Sequence, residues 1–103
     1  MATTTLTISL NDGVYSVSSD PAEVTEGGEL SINVPTGPPV GCLICVDHDL
    51  GGATSHVLTA NKTFDLKDKA VGTTWGYDVF GPTATCPVVK KRNAAHSIQI
   101  TSN

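Results

Sequence analysis

An all-β fold, a two-sheet antiparallel Greek-key sandwich of seven or eight strands, is what this chain of 103 residues predicts. Three observations carry the prediction. Apolar and polar residues alternate in short runs, the period-two signature of half-buried strands. Turn signals separate those runs at intervals of about ten residues. Helix formers such as Glu, Lys, Arg, Gln and Met are scarce, charged residues make up only 16% of the chain, and no long window holds an apolar 3.6-residue period. The length suits one domain, residues 1–103, around a single core.

Taken in order, Leu6, Ile8 and Leu10 share one parity and stop at the turn signal Asn11-Asp12-Gly13. Val14–Ser18 follows, so the first two segments read as a hairpin. Ser19–Thr25 contains Asp20-Pro21, and a proline interrupts a hydrogen-bond ladder, which suits an edge or a crossing between sheets. After the turn Glu26-Gly27-Gly28, Leu30, Ile32 and Val34 alternate until Pro35-Thr36-Gly37-Pro38-Pro39 ends the strand. Val40–Asp47 is apolar on both parities and predicts a central strand covered on both faces. Asp47–Ser55 reads as a loop around Gly51-Gly52, and shorter strands are expected at His56–Thr59 and Thr63–Lys67. Thr73–Phe80 carries Trp75, Tyr77 and Val79 on one parity. Gly81–Pro87 reads as a loop and Val88-Val89 as a short strand, while His96, Ile98 and Ile100 line one face of the last strand.

The stretch from Ser18 to Val34, in which a proline-led segment, a valine, a glycine turn and an alternating strand succeed one another, resembles the opening of immunoglobulin-like and cupredoxin-like domains. Tyr77, Val79, Cys86 and the closing Ile98 and Ile100 are similar in layout to the second half of a cupredoxin. The resemblance implies a Greek-key sandwich and raises the question of a blue copper site. Such a centre needs two histidines, a cysteine and usually a weak axial methionine. In that family the histidine and methionine follow the cysteine on one short loop. Here Cys86 is followed by Pro87-Val88-Val89-Lys90-Lys91-Arg92-Asn93, the next histidine is His96, and the only methionine is Met1. His48 or His56 would serve as the early histidine. The resemblance therefore extends to the layout, and the copper-ligand loop is not matched.

A net charge of -4 gives no basic surface for phosphates, so nucleic acid is not an expected partner. Lys90-Lys91-Arg92 is the one basic cluster and reads as a solvated turn. No apolar run approaches the roughly 18–20 residues of a membrane span, so no membrane partner is expected. The amino-terminal MATTTLTISL lacks the basic and apolar regions of a secretory signal. The chain as it stands is expected to be cytoplasmic, with an exported mature chain as the other reading.

The stretch VGCLICVDHD, residues 40–49, holds most of the candidate chemistry. Cys42, Cys45 and Cys86 with one of His48, His56 or His96 would make a Cys3His zinc set. Zinc signatures place paired cysteines on turns, whereas the 42–45 segment has no turn residue inside it, so structural cysteines are expected. In an extended strand Cys42 and Cys45 leave opposite faces with Cα atoms about 10 Å apart, beyond the roughly 7 Å that a disulfide tolerates. A Cys86 bridge to one of them would enclose about forty residues and stabilise by about 4 kcal/mol. The expectation is nevertheless three reduced thiols, because no signal peptide is present and Cys86 lies in a loop before Pro87. Asp47 and Asp49 beside the glycines supply only two local oxygen ligands for calcium, which wants six or more, and read as a solvated strand end.

His96 shares a parity with Ile98 and Ile100 and reads as a hydrogen-bonded structural histidine. Trp75 and Tyr77 share a face that is expected to pack inside; exposed, they would form a ligand face. No nucleophile elbow, phosphate loop or triad is present, so neither an enzyme nor a cofactor is expected. The function expected is a non-catalytic binding or assembly module for an unknown protein or small ligand. The alternative is a metal-binding, cupredoxin-like domain using copper, or zinc through Cys and His.

Overall fold

The computed structural model describes residues 2–87 and 94–102, and these form nine strands and no helix. They are β1 (Thr3–Asn11), β2 (Val14–Val17), β3 (Ala22–Thr25), β4 (Glu29–Asn33), β5 (Cys42–Leu50), β6 (Ala53–Leu58), β7 (Lys62–Asp65), β8 (Thr74–Phe80) and β9 (His96–Thr101). A four-stranded sheet runs β2-β1-β4-β7 and a five-stranded sheet runs β3-β9-β8-β5-β6. The expected short strand at Val88-Val89 and the basic cluster Lys90-Lys91-Arg92 lie outside the described residues.

Alternation builds the core as the sequence predicts. Leu6 and Ile8 of β1, Leu30 and Ile32 of β4 and Phe64 of β7 point inward from one sheet. They meet Val24 of β3, Ile44 and Val46 of β5, Trp75 and Tyr77 of β8, and Ile98 and Ile100 of β9. Side chains at every second residue share a face, so each strand contributes one parity to a single apolar layer between the two sheets.

Two hairpins have their turns written in the sequence. β1 and β2 pair antiparallel across Asp12-Gly13, whose φ angles of 50° and 77° suit the turn that matches strand twist. β5 and β6 close on Gly51 and Gly52, with φ of 63° and 98°. The tight turn lengthens both strands beyond the sequence reading, so most of the expected loop 47–55 is strand.

The sheets are mixed, which corrects the antiparallel expectation. β1 pairs with β4 in parallel, and β3 pairs with β9 in parallel. A hairpin forces its two strands antiparallel, but a chain that leaves one sheet for the other is free of that constraint. The segment holding Asp20-Pro21 makes such a crossing, and it also supplies a strand. β3 lies at the edge of the five-stranded sheet, and β4 then returns to the far side of β1. That added edge strand takes the count from the expected seven or eight to nine among the described residues. Among these residues no helix is long and apolar enough to cross a membrane.

Candidate functional site

Strand β5 lies between β8 and β6, and its two faces separate the 42–45 cysteines. Cys42 points into the core, is fully buried and is a free thiol, which burial pushes up to about 11. Leu43 and Cys45 leave the opposite face, yet they are only 3% and 1% exposed. Cys45 is bonded to Cys86 across a Cα–Cα distance of 5.7 Å. This overturns the expectation of three reduced thiols for two of the three. The reason lies in the register: Phe80 at the end of β8 pairs with Leu43, so the chain leaves β8 beside the outward row of β5 and folds back over it. The expected impossibility of a Cys42–Cys45 bridge agrees with the opposed faces.

The histidines occupy three separate places. His48 Nδ1–H donates to Asp47 Oδ1 at 2.7 Å, and its ring stacks on Trp75 at a centroid distance of 5.5 Å and an interplanar angle of 10°. Neighbouring residues of a regular strand face opposite ways; here the β5–β6 register shifts between Cys45 and Leu50, and the Asp47–His48 pair lies within that irregular stretch. His48 remains 49% exposed and roofs the fully buried indole. Trp75 Nε1–H donates to the Asp49 carbonyl at 2.8 Å. His56 Nε2–H donates to the Leu50 carbonyl at 2.7 Å and sets its ring edge-on to Phe64. His96 Nδ1–H donates to Asp20 Oδ2 at 3.1 Å, and its ring lies 5.3 Å from that of Tyr77.

These placements do not assemble the metal candidates. One thiol of the Cys3His set lies on the core face of β5, the other two sulfurs are bonded to each other, and each histidine is held by a different partner. Among the described residues no three His, Cys, Asp or Glu side chains come together to hold a metal ion. Asp49 Oδ2 accepts the Gly52 N–H at 3.3 Å and Asp47 is engaged by His48, so the two carboxylates serve their own hairpin. Trp75 and Tyr77 are both fully buried and present no face to solvent. The Tyr77 hydroxyl has no hydrogen-bond partner among the described residues. Burial, and next the Asp20 carboxylate, push its ionisation far above the ordinary phenol range.

A recess among the described residues lies elsewhere, at a place the sequence-based expectations did not point to. A cleft of about 460 Å³ opens between the β1–β2 hairpin and the proline-rich segment after β4, lined by Ile8, Leu10, Asp12, Val34, Pro35 and Pro38 among others. Its origin is a ladder that stops early. The Thr7 N–H donates to Ser18 Oγ and the Thr7 carbonyl accepts from the Ser18 N–H, each at 2.9 Å, so Thr7 turns its main chain toward β2. Alternate residues turn theirs to the opposite edge, which is β4's side for Ile8 and Leu10. The β1–β4 pairing ends at Thr7 opposite Asn33. Beyond it the Val34 N–H is taken by Asn61 Oδ1 at 3.0 Å, and Pro35 has no N–H to give. The Ile8 carbonyl and both main-chain groups of Leu10 therefore face the cleft. The readable signal was Pro35 itself, standing where the next amide of the ladder belongs.

Among the described residues, Asp12 is the one ionisable side chain on the cleft lining. Compared with protein-family models, curated proteins and solved structures, the chain matches none.

Proposed function

We propose that the protein is a non-catalytic β-sandwich module that binds a ligand or partner and works in an oxidising compartment. The observation that carries the reading is the open strand edge inside the cleft, where main-chain donors and acceptors are presented at a built recess. Elsewhere the side chains that would do chemistry are engaged one by one with their own neighbours. The Cys45–Cys86 bond supports the exported form over the cytoplasmic one, since disulfides persist in oxidising compartments.

Of the two resemblances, the mixed sheets favour the cupredoxin-like layout, because an immunoglobulin-like domain is built from two antiparallel sheets. Pairing between strands distant in sequence, β1 with β4 and β3 with β9, supports the Greek-key path. The metal-binding alternative has less behind it: a blue copper centre needs a cysteine thiolate, and the Cys86 sulfur is bonded to Cys45.

The test is a titration of the oxidised, ¹⁵N-labelled protein, followed by its amide spectrum. Blocked peptides, oligosaccharides, Cu(II) and Zn(II) are added in separate series. The reading expects a saturable response to a peptide or a saccharide. Uptake of one equivalent of Cu(II) or Zn(II), with neither organic class bound, would replace it with the metal-binding alternative.

A further inference from the structure

The geometry points to an occupant for this cleft: a short extended peptide segment that adds as a strand beside Ile8–Leu10 and sets a basic side chain against Asp12. The inference rests on the binding-module reading above and names its ligand class. Three main-chain groups, the Ile8 carbonyl and the N–H and carbonyl of Leu10, are turned to one edge of β1. They span two residue rises, about 6.6 Å, which is the repeat at which a second strand presents its own donor and acceptor. A peptide backbone carries that pattern, and strand addition of this kind takes its affinity from main-chain bonds.

Slot and wall limit what fits. Pro35 and Pro38, with Thr36 and Gly37 between them, form the side opposite β1; the two prolines offer no N–H, so the regular edge for the segment to pair with is that of β1 and the proline rings face its other side. A strand that bonds on one side needs about three residues to reach all three groups. Asp12 at the hairpin turn is the sole charge on the lining among the described residues, and it is exposed. A Lys or Arg side chain next to the pairing residues satisfies it, whereas an acidic one is repelled.

The experiment uses the oxidised full chain and three blocked pentapeptides: Thr-Val-Lys-Val-Thr, the same peptide with Glu in place of Lys, and the Lys peptide N-methylated at both valines. A fourth carries N-methyl groups at the two threonines and the Lys, so that the two methylated forms block opposite edges. The expected result is a saturable shift of the Leu10 amide with the Lys peptide, binding about tenfold weaker with the Glu peptide, and loss of binding with one methylated form but not the other. Asp12→Asn keeps a residue tolerant of positive φ at the turn and is expected to erase the Lys-over-Glu preference while leaving the shift at Leu10. Equal binding of both methylated forms would overturn strand addition. A preference that survives Asp12→Asn would overturn the role of Asp12. Peptide shifts confined to another surface, or an oligosaccharide bound in place of the peptides, would sink the slot while leaving the binding-module reading standing. A response to metal ions alone would remove both.

Discussion

Trp75 and Tyr77 stand two residues apart on one face of β8, are equally buried, and differ in how their polar atoms are treated. The Trp75 indole donates to the Asp49 carbonyl and lies under His48, while the Tyr77 hydroxyl has no partner among the described residues. Removing a bonded group leaves the Asp49 carbonyl without its donor; removing an unbonded one relieves a desolvated hydroxyl. Trp75→Phe should therefore cost about 2–4 kcal/mol, and Tyr77→Phe should leave stability unchanged or raise it by about 1 kcal/mol, both read from urea unfolding. Cys42 gives a pH-dependent counterpart. Burial pushes its thiol up to about 11, against an ordinary value of about 9 in the unfolded chain. Between those values the folded protein keeps a proton that the unfolded chain loses, so stability falls as pH rises. The contribution is complete below about pH 9 and gone above about pH 11. Cys42→Ala should lose about 1 kcal/mol at neutral pH and lack that part of the alkaline decline.

At the scale of elements, the disulfide and the turns carry the sharpest expectations. Cys45 and Cys86 are 41 residues apart, and closing a loop of that size restricts the unfolded chain by about 4 kcal/mol in the chain-entropy account. Reduction, or the double change of Cys45 and Cys86 to alanine, should lower unfolding stability by about 3–4 kcal/mol; peptide mapping of unreduced protein should return the linked fragments. The two hairpin turns separate strain from crowding. At Gly13, with φ of 77° and open space where a Cβ would stand, Gly13→Ala meets only backbone strain of about 1 kcal/mol. At Gly51, with φ of 63°, the added Cβ would come within 2.7 Å of the Phe64 ring, itself packed in the core. Gly51→Ala should thus cost about 2–4 kcal/mol, the larger loss of the two in the same urea assay.

For the molecule as a whole, the described residues of both sheets bury their inner faces in one shared apolar cluster. Far-ultraviolet circular dichroism and Trp75 fluorescence should therefore trace one coincident unfolding transition, the mark of a single cooperative domain. Two separated transitions would divide the chain into independent units. The β3–β9 pairing joins residues near 22–25 to residues near 98–101, so the five-stranded sheet closes only when almost the whole chain is in place. Folding is expected on the millisecond-to-second scale of topologies rich in distant pairings, measurable by stopped-flow fluorescence.

Alternation at Leu6-Ile8, Leu30-Ile32 and Trp75-Tyr77 settled, from the sequence by itself, that the chain is all-β and which parity of those strands enters the core, while Leu10 of the same parity stays half-buried at the cleft. The Asp12-Gly13 turn and the doubly apolar 42–46 run were legible for the same reason, since side-chain period and turn chemistry are local properties of a chain. Val40, however, expected to open that strand, is exposed and lies outside β5, and Gly51-Gly52 closes a hairpin where a loop was expected. What alternation leaves open is which strand lies beside which, because a strand's inward parity is the same whether its neighbour runs parallel or antiparallel. Only the tertiary structure placed β4 along β1 and β9 along β3, and so made the sheets mixed. The same gap hid the disulfide, since Cys86 reaches Cys45 only because Phe80 is in register with Leu43. It hid the cleft as well: Pro35 marks the end of a strand in any sequence, but it opens a usable edge only because β1 continues past it to Asn11. Contacts between residues far apart in the chain depend on strand order and register, and those are decided by the packing of the two sheets together.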